Sequence, residues 1–297
     1  MPRKNAREVQ EVLPSRQMLE GAGVRLSRTF GYQEVPKLDP FLMLDDFGSD
    51  DPDDYLAGFP WHPHRGIETV TYMLNGEVEH GDSLGNSGVI GSGDIQWMTA
   101  GSGIIHQEMP RRARGRMRGF QLWVNLPKRD KMMPPRYRDV RHADIPEVRP
   151  ASGVQIRVVS GSVAGVRGPV QDIVVDPEYL DISLAPGAEF RHAIPRDHRT
   201  FAYVADGSAR FEAGGNGIGS GHAVLFGAGD EVAVTAGDSG VRLLLISGRP
   251  LNEPVAWGGP IVMNTQVELD RAFDEYRHGT FIKHGRDPEA GPPEQRT

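Results

Sequence analysis

Gly93-Asp94-Ile95-Gln96-Trp97-Met98-Thr99-Ala100-Gly101 reads as a glycine turn, a strand-forming run and a second glycine turn. The same grammar returns 136 positions later as Gly229-Asp230-Glu231-Val232-Ala233-Val234-Thr235-Ala236-Gly237. Upstream, Met73-Leu74-Asn75-Gly76 pairs with Ala205-Asp206-Gly207 at an offset of 131. Blocks in the same order at nearly the same offset indicate one β domain duplicated, with a short loop indel between them. Around these blocks lie further strand-like runs: Thr69–Leu74, Phe120–Asn125, Val154–Ser160, Tyr179–Leu184, Thr200–Val204, Ala223–Phe226 and Val241–Ser247. Turn chemistry separates them, as at Asn75-Gly76, Gly91-Ser92-Gly93-Asp94 and Asp206-Gly207.

Composition agrees with an all-β reading. The 297 residues include 37 Gly and 23 Pro, a fifth of the chain against an average of about 12%. Many short strands joined by many turns account for that excess. One helix is expected near the C-terminus: Thr265 and Glu268 have capping-box spacing, Val267, Leu269, Phe273 and Tyr276 give an apolar stripe, and Gly279 supplies a stop. Residues 127–152 are rich in Pro and charge and read as a linker. The expected division is an N-terminal domain over 1–140, a C-terminal domain over 141–286 and a flexible tail over 287–297.

Several function classes drop out. Cysteine is absent, which removes thiolate metal sites, iron–sulfur clusters, disulfides and cysteine nucleophiles. A net charge of −7 gives no direct signal for nucleic-acid binding. No run approaches the ~18 apolar residues of a membrane helix. Met1 to Leu13 lacks an apolar signal core, so a cytoplasmic location is expected.

Chemistry concentrates in Gly58-Phe59-Pro60-Trp61-His62-Pro63-His64-Arg65-Gly66-Ile67-Glu68 and in Gly103-Ile104-Ile105-His106-Gln107-Glu108. Strand residues i and i+2 share a face, so His62 points with His64, and His106 with Glu108. If both faces line one barrel, three imidazoles and one carboxylate converge, a set suited to iron, copper, nickel, manganese or zinc. Pro63 fits an edge strand or a strand start. In the second copy the repeat offsets map His62, His64 and Glu68 to Ala193, Pro195 and Arg199, and His106 and Glu108 to Arg242 and Leu244. The turns are kept and the ligands are lost, so the metal set belongs to one copy.

The block Gly-x3-His-x-His-x3-Glu-x7-Gly, with His-x-Glu following 42 residues after the second His, resembles the cupin metal signature in its pirin variant. Segments 96–101, 120–126 and 259–265 also resemble pirin segments, and the likeness runs from Gly31 to Gly285. The resemblance implies two cupin barrels (double-stranded β-helix or jelly-roll). A mononuclear non-haem iron(II) would sit in the first, held by His62, His64, His106 and Glu108, and none in the second. Ordinary cupins take their carboxylate from the position of Glu68, which becomes here a supporting or electrostatic candidate. The family also implies two kinds of function, quercetin 2,3-dioxygenase-like oxidation or regulation through a protein partner. Three neutral imidazoles and a carboxylate on a divalent ion leave a charge of about +1 and two open positions, for a flavonol-like enolate and for dioxygen. Glu108 or Glu68 could take the substrate proton as general base, and the metal would acidify the hydroxyl.

Other patterns are read as turns. Gly81-Asp82-Ser83-Leu84-Gly85 matches Gly-x-Ser-x-Gly but lacks the following helix a nucleophile elbow needs. Gly237-Asp238-Ser239-Gly240 occupies the turn that Gly101-Ser102-Gly103 occupies in the first copy. Trp61 and Trp97 read as core or wall residues. Arg111, Arg112, Arg114, Arg116 and Arg118 form either a solvated loop balanced by acids such as Asp45 and Asp46 or a surface steering an anion towards the barrel.

Overall fold

The computed structural model describes residues 5–171, 173–175, 177–211 and 215–284. The expected tail at 287–297 lies outside them. The chain forms two compact units. One comprises Met1–Arg16, Lys37–Pro40 and Ala143–Pro250, and the other Gln17–Pro36, Phe41–His142 and Leu251–Thr297. Each unit therefore draws on sequence from both halves of the chain, where the simple expectation was a cut near residue 140.

In chain order the strands up to residue 140 are β1 (Val9–Pro14), β2 (Arg16–Glu20), β3 (Val24–Phe30), β4 (Phe41–Ser49), β5 (Phe59–His64) and β6 (Ile67–Asn75). There follow β7 (Val78–Asp82), β8 (Ser87–Ile90), β9 (Ile95–Thr99), β10 (Ile104–Pro110), β11 (Met117–Asn125) and β12 (Arg136–Val140). The unit holding the histidines is a sandwich of two antiparallel sheets. A seven-stranded sheet has the order β12-β9-β6-β11-β4-β3-β2, and a four-stranded sheet the order β5-β10-β7-β8. Central strand β6 is covered on both faces, so Ile67, Val70, Tyr72 and Met73 are all buried and it reads as a nearly continuous apolar run, not an alternating one. Proline at position 63 is accommodated because β5 is an edge strand of its sheet.

The supposed linker is divided at His142: its first part belongs to this unit and residues 143–152 to the other. Arg136–Val140 adds to the edge of the larger sheet by pairing with β9, Tyr137 opposite Met98 and Val140 opposite Ile95. Its charged side chains mask the strand signal while suiting a strand whose outer edge is exposed. Gly81–Gly85 sits in the β7–β8 hairpin, where the Asp82 carboxylate accepts from the amides of Leu84 and Asn86 at 2.9 Å, and it is a turn as expected. The only α-helix among the described residues, α1 (Gln266–Arg277), begins on a Thr265–Glu268 capping box. Its buried stripe runs through Leu269 and Ala272, and Val267 stands exposed on the other side. No helix is long and apolar enough to cross a membrane.

In the second unit β1 pairs with His222–Phe226 at one edge of a nine-stranded sheet. Strand Arg199–Arg210 lies between His222–Phe226 and the 18-residue Glu231–Gly248, which also pairs with Glu178–Leu184 and Glu189–Ala193. These partnerships correct the repeat alignment. β9 pairs with β6, and its counterpart by partnership is His222–Phe226, which pairs with Arg199–Arg210. Residues 231–235 pair with Glu189–Ala193 as β10 pairs with β5. The sequence match thus superposes neighbouring strands, and Arg242 and Leu244 are not the counterparts of His106 and Glu108. Gly237–Gly240 is likewise a bulge inside a continuous strand, not a turn between strands, because the register jumps from Ala236 to Val241 opposite Ala209 and Gly207.

Candidate metal centre

β5 and β10 lie side by side, with Ile104 opposite His64 and His106 opposite His62. Directly opposed residues of an antiparallel pair point to the same face, so the three imidazoles meet. Their ring centroids are 4.4, 4.8 and 5.0 Å apart. One nitrogen from each lies within 4.8 Å of the others. His64 and His106 are buried, and His62 is partly open to solvent, which places the approach to the cluster on its side.

Hydrogen bonds fix which nitrogens face inwards. Nδ1 of His62 lies 2.9 Å from the carbonyl oxygen of Pro60, and Nδ1 of His64 lies 2.9 Å from that of Pro260. A carbonyl only accepts, so each Nδ1 carries the proton and each Nε2 presents a lone pair. Those two Nε2 atoms are 3.1 Å apart, and the buried Nε2 of His106 has no hydrogen-bond partner. Burial is the main cause holding all three imidazoles below their ordinary pKa, His64 at about 3. A proton is therefore disfavoured at a point where lone pairs converge. A divalent cation satisfies all three donors at once, and imidazole suits zinc, copper, iron and nickel alike. The donor set fits a metal.

Glu108 shares the inward face of β10 and is buried. Its Oε1 accepts from the Thr71 hydroxyl at 2.9 Å and its Oε2 from the Gln121 side-chain amide at 2.9 Å. The mutually close ligand atoms come from the three histidines and do not include Glu108. Glu68 is not brought to the cluster. Thr71 faces the histidines and Glu68, three residues earlier on β6, faces the other way. There its Oε1 accepts from the Thr99 hydroxyl at 2.7 Å, its Oε2 has no hydrogen-bond partner, and burial raises its pKa. Trp97 is buried on that same outer side, and Trp61 packs against the cluster of Ile105 and Ile261. Trp97 is a core residue, and Trp61 is partly buried at the edge of the core.

Sequence reading missed the groups that hold the site in place. Trp123 stands edge-on to His64 with centroids 5.0 Å apart and donates from Nε1 to Gln121 at 3.0 Å. Its alternation with Gln121 on β11 was the available signal. His80, opposite Glu108 in the β7–β10 pair, has its Nδ1 in a hydrogen bond with the Tyr137 hydroxyl at 2.6 Å. Of the arginines after Glu108, Arg111 pairs with Glu77 and Glu79 and Arg118 with Asp46, which supports the balanced-loop reading for these two.

The corresponding positions of the second unit carry a single imidazole among apolar side chains. Phe190, Val232 and Val234 belong to its hydrophobic core, and His192 is tied to Glu178 at 2.8 Å. Among the described residues, the three histidines are the only group of this kind.

A family model described as Pirin matches residues 23–124, and one described as the Pirin C-terminal cupin domain matches residues 179–282. A pirin-like protein of Caulobacter vibrioides is 46% identical over 93% of this chain and 99% of its own. The chain belongs to the pirin family. A Pseudomonas aeruginosa protein that carries a provisional quercetin 2,3-dioxygenase name is 43% identical over 93% of this chain and 98% of its own. The crystal structure of quercetin 2,3-dioxygenase from Acinetobacter baumannii superposes with a TM-score of 0.86 at 31% identity, covering 93% of this chain and 98% of that one. The fold of this pirin is accordingly the two-domain cupin fold expected from its sequence.

Proposed function

We propose that this pirin is a metal-dependent dioxygenase of the quercetin 2,3-dioxygenase type, acting on a flavonol or a related enol with dioxygen. The observation that carries the reading is the convergence of three imidazoles, one nitrogen from each within 4.8 Å of the others and the Nε2 atoms of His62 and His64 3.1 Å apart. The names borne by relatives point the same way. His62, His64 and His106 would hold the ion, iron(II) on the family resemblance, with Glu108 as its carboxylate. When bound, the ion supplies Lewis acidity and open coordination positions for substrate and dioxygen. Glu108 would take the proton of the substrate hydroxyl, with Thr71 and Gln121 fixing the direction of its lone pairs. Trp123 would supply a flat apolar wall beside His64 and keep water from that side.

The test is loss of the flavonol absorbance when anaerobically iron-loaded protein is mixed with quercetin and then with air. Bleaching by the unaltered chain and none by His64→Ala is the expected result. Quercetin bound without bleaching would replace the enzyme reading by that of a metal-containing regulator.

A further inference from the structure

Lone pairs at the cluster are aimed partly by a segment far from it in sequence. After the second unit the chain returns as the hairpin Ala256–Gly258 and Ile261–Met263, then helix α1, then Phe281. The turn of that hairpin brings the Pro260 carbonyl to the Nδ1 of His64. A buried imidazole has two neutral tautomers, and only the one with its proton on Nδ1 leaves Nε2 available to a metal.

The same segment is fastened to both residues that follow His64. The Val262 amide donates to the Arg65 carbonyl at 3.1 Å. Buried Lys131 donates from Nζ to the Val262 carbonyl at 3.0 Å, to the Gly66 carbonyl at 2.9 Å and to Asn125 Oδ1 at 2.7 Å. Three acceptors match the three N–H bonds of an ammonium group. Gly66 has φ +77°, and a Cβ there would stand 2.0 Å from the Val262 carbonyl, so this close approach requires glycine. The Arg65 guanidinium donates to the carbonyls of Ser102 and Phe281 and to the Glu275 carboxylate, each at 2.7 Å. It also lies 4.2 Å from the centre of the Phe281 ring. Ile261, Leu269 and Phe281 bury their side chains against Ile105, next to His106. A hairpin serving only to cover apolar surface would need the last of these contacts and none of the others.

We propose that Ala256–Phe281 is a working part of the metal site. The Pro260 carbonyl is the positioning group for His64, Lys131, Arg65 and Glu275 hold it in register, and metal occupancy and seating of the segment favour each other. The reciprocity follows from linkage: a segment that favours the binding tautomer is itself favoured, by the same factor, when metal is bound. Loss of such a supporting partner typically lowers metal affinity by ~10–100-fold. The inference rests on the metal reading of the three histidines and not on any turnover.

The test uses the full chain stripped with a chelator and titrated with zinc(II), a redox-inert probe. Zinc affinity is read by competition with a chromophoric chelator, and backbone amide exchange over residues 256–284 is followed by mass spectrometry. In the unaltered chain zinc should slow exchange in this segment several-fold. Lys131→Met and Glu275→Gln should each speed exchange there, leave β6 and β11 protected, and weaken zinc binding by about 10-fold or more. Arg141→Gln, which breaks an ion pair with Asp94 elsewhere in the unit, should change neither reading. Exchange that is identical in zinc-free and zinc-saturated protein would overturn the proposal, as would full zinc affinity in a variant whose segment exchanges faster. Failure of the unaltered chain to bind zinc at all would overturn the metal reading together with it, which separates the two failures.

Discussion

The hydroxyl of Thr71 on β6 donates to the carboxylate of Glu108 on β10 at 2.9 Å, joining the two sheets beside the histidines. Both residues are buried, so the bond is made where an unpaired charge is expensive. Thr71→Val keeps the shape and removes the donor. Stability should fall by about 1–3 kcal/mol in urea denaturation. An unchanged midpoint and slope would show that the carboxylate finds another donor.

Glu68 and Glu108 should separate cleanly. Glu68→Gln, on the far face of β6, is expected to leave metal content unchanged. Burial raises the Glu68 carboxyl above its ordinary 4.5, so its charge weighs against the folded state increasingly as pH rises above that value. Removing the charge should therefore leave stability at pH 7.5 equal or higher. Glu108→Gln should lower metal affinity by ~10–100-fold. Elemental analysis after dialysis distinguishes them, and metal loss in the Glu68 variant would contradict the placement of its side chain.

Acid should destabilise the metal-free protein early. Burial depresses His62, His64 and His106 from the ordinary 6.5, His64 to about 3. The unfolded chain recovers ordinary values and binds protons that the folded chain excludes. The stabilisation is fully present above pH 6.5 and declines as pH falls towards 3, by up to about 1.4 kcal/mol per pH unit for each such histidine. Denaturation curves of chelator-treated protein between pH 7.5 and 4.5 should show this decline, with a shallower slope for His64→Leu. Stability that rises on acidification would exclude the assignment.

In the other unit, the Arg7 guanidinium is buried and donates to the carbonyls of Pro195, His198 and Gly227 at 2.6, 3.0 and 2.9 Å. Arg7→Met would orphan all three acceptors. A loss of about 2–4 kcal/mol is expected, read as a lower thermal midpoint. A shift within error would mean that water replaces the side chain.

The all-β class, the capped helix and the shared histidine face of β5 and β10 were legible because each rests on a short-range pattern: strand alternation, a capping box, His-x-His. What was not legible depends on where strands go. His64 and Glu68 are an even number of residues apart, yet the chain turns at Gly66, with φ +77°, and passes from one sheet to the other. Even spacing therefore no longer means a common face. The repeat was found, but Gly-Asp stands before β9 in one copy and before Glu231–Gly248 in the other, so the match locked onto adjacent strands. Arg136–Val140 hid because an edge strand tolerates charge. The bond from His64 to Pro260 spans 196 positions and uses a backbone carbonyl, which no side-chain pattern encodes.

Crystals soaked in zinc(II) and measured on both sides of the zinc absorption edge would test the centre of this account most directly. A single anomalous peak about 2.1 Å from Nε2 of His62, His64 and His106, the length of a zinc–imidazole bond, is the predicted result. A peak elsewhere, or imidazoles bridged by water alone at full zinc saturation, would contradict it.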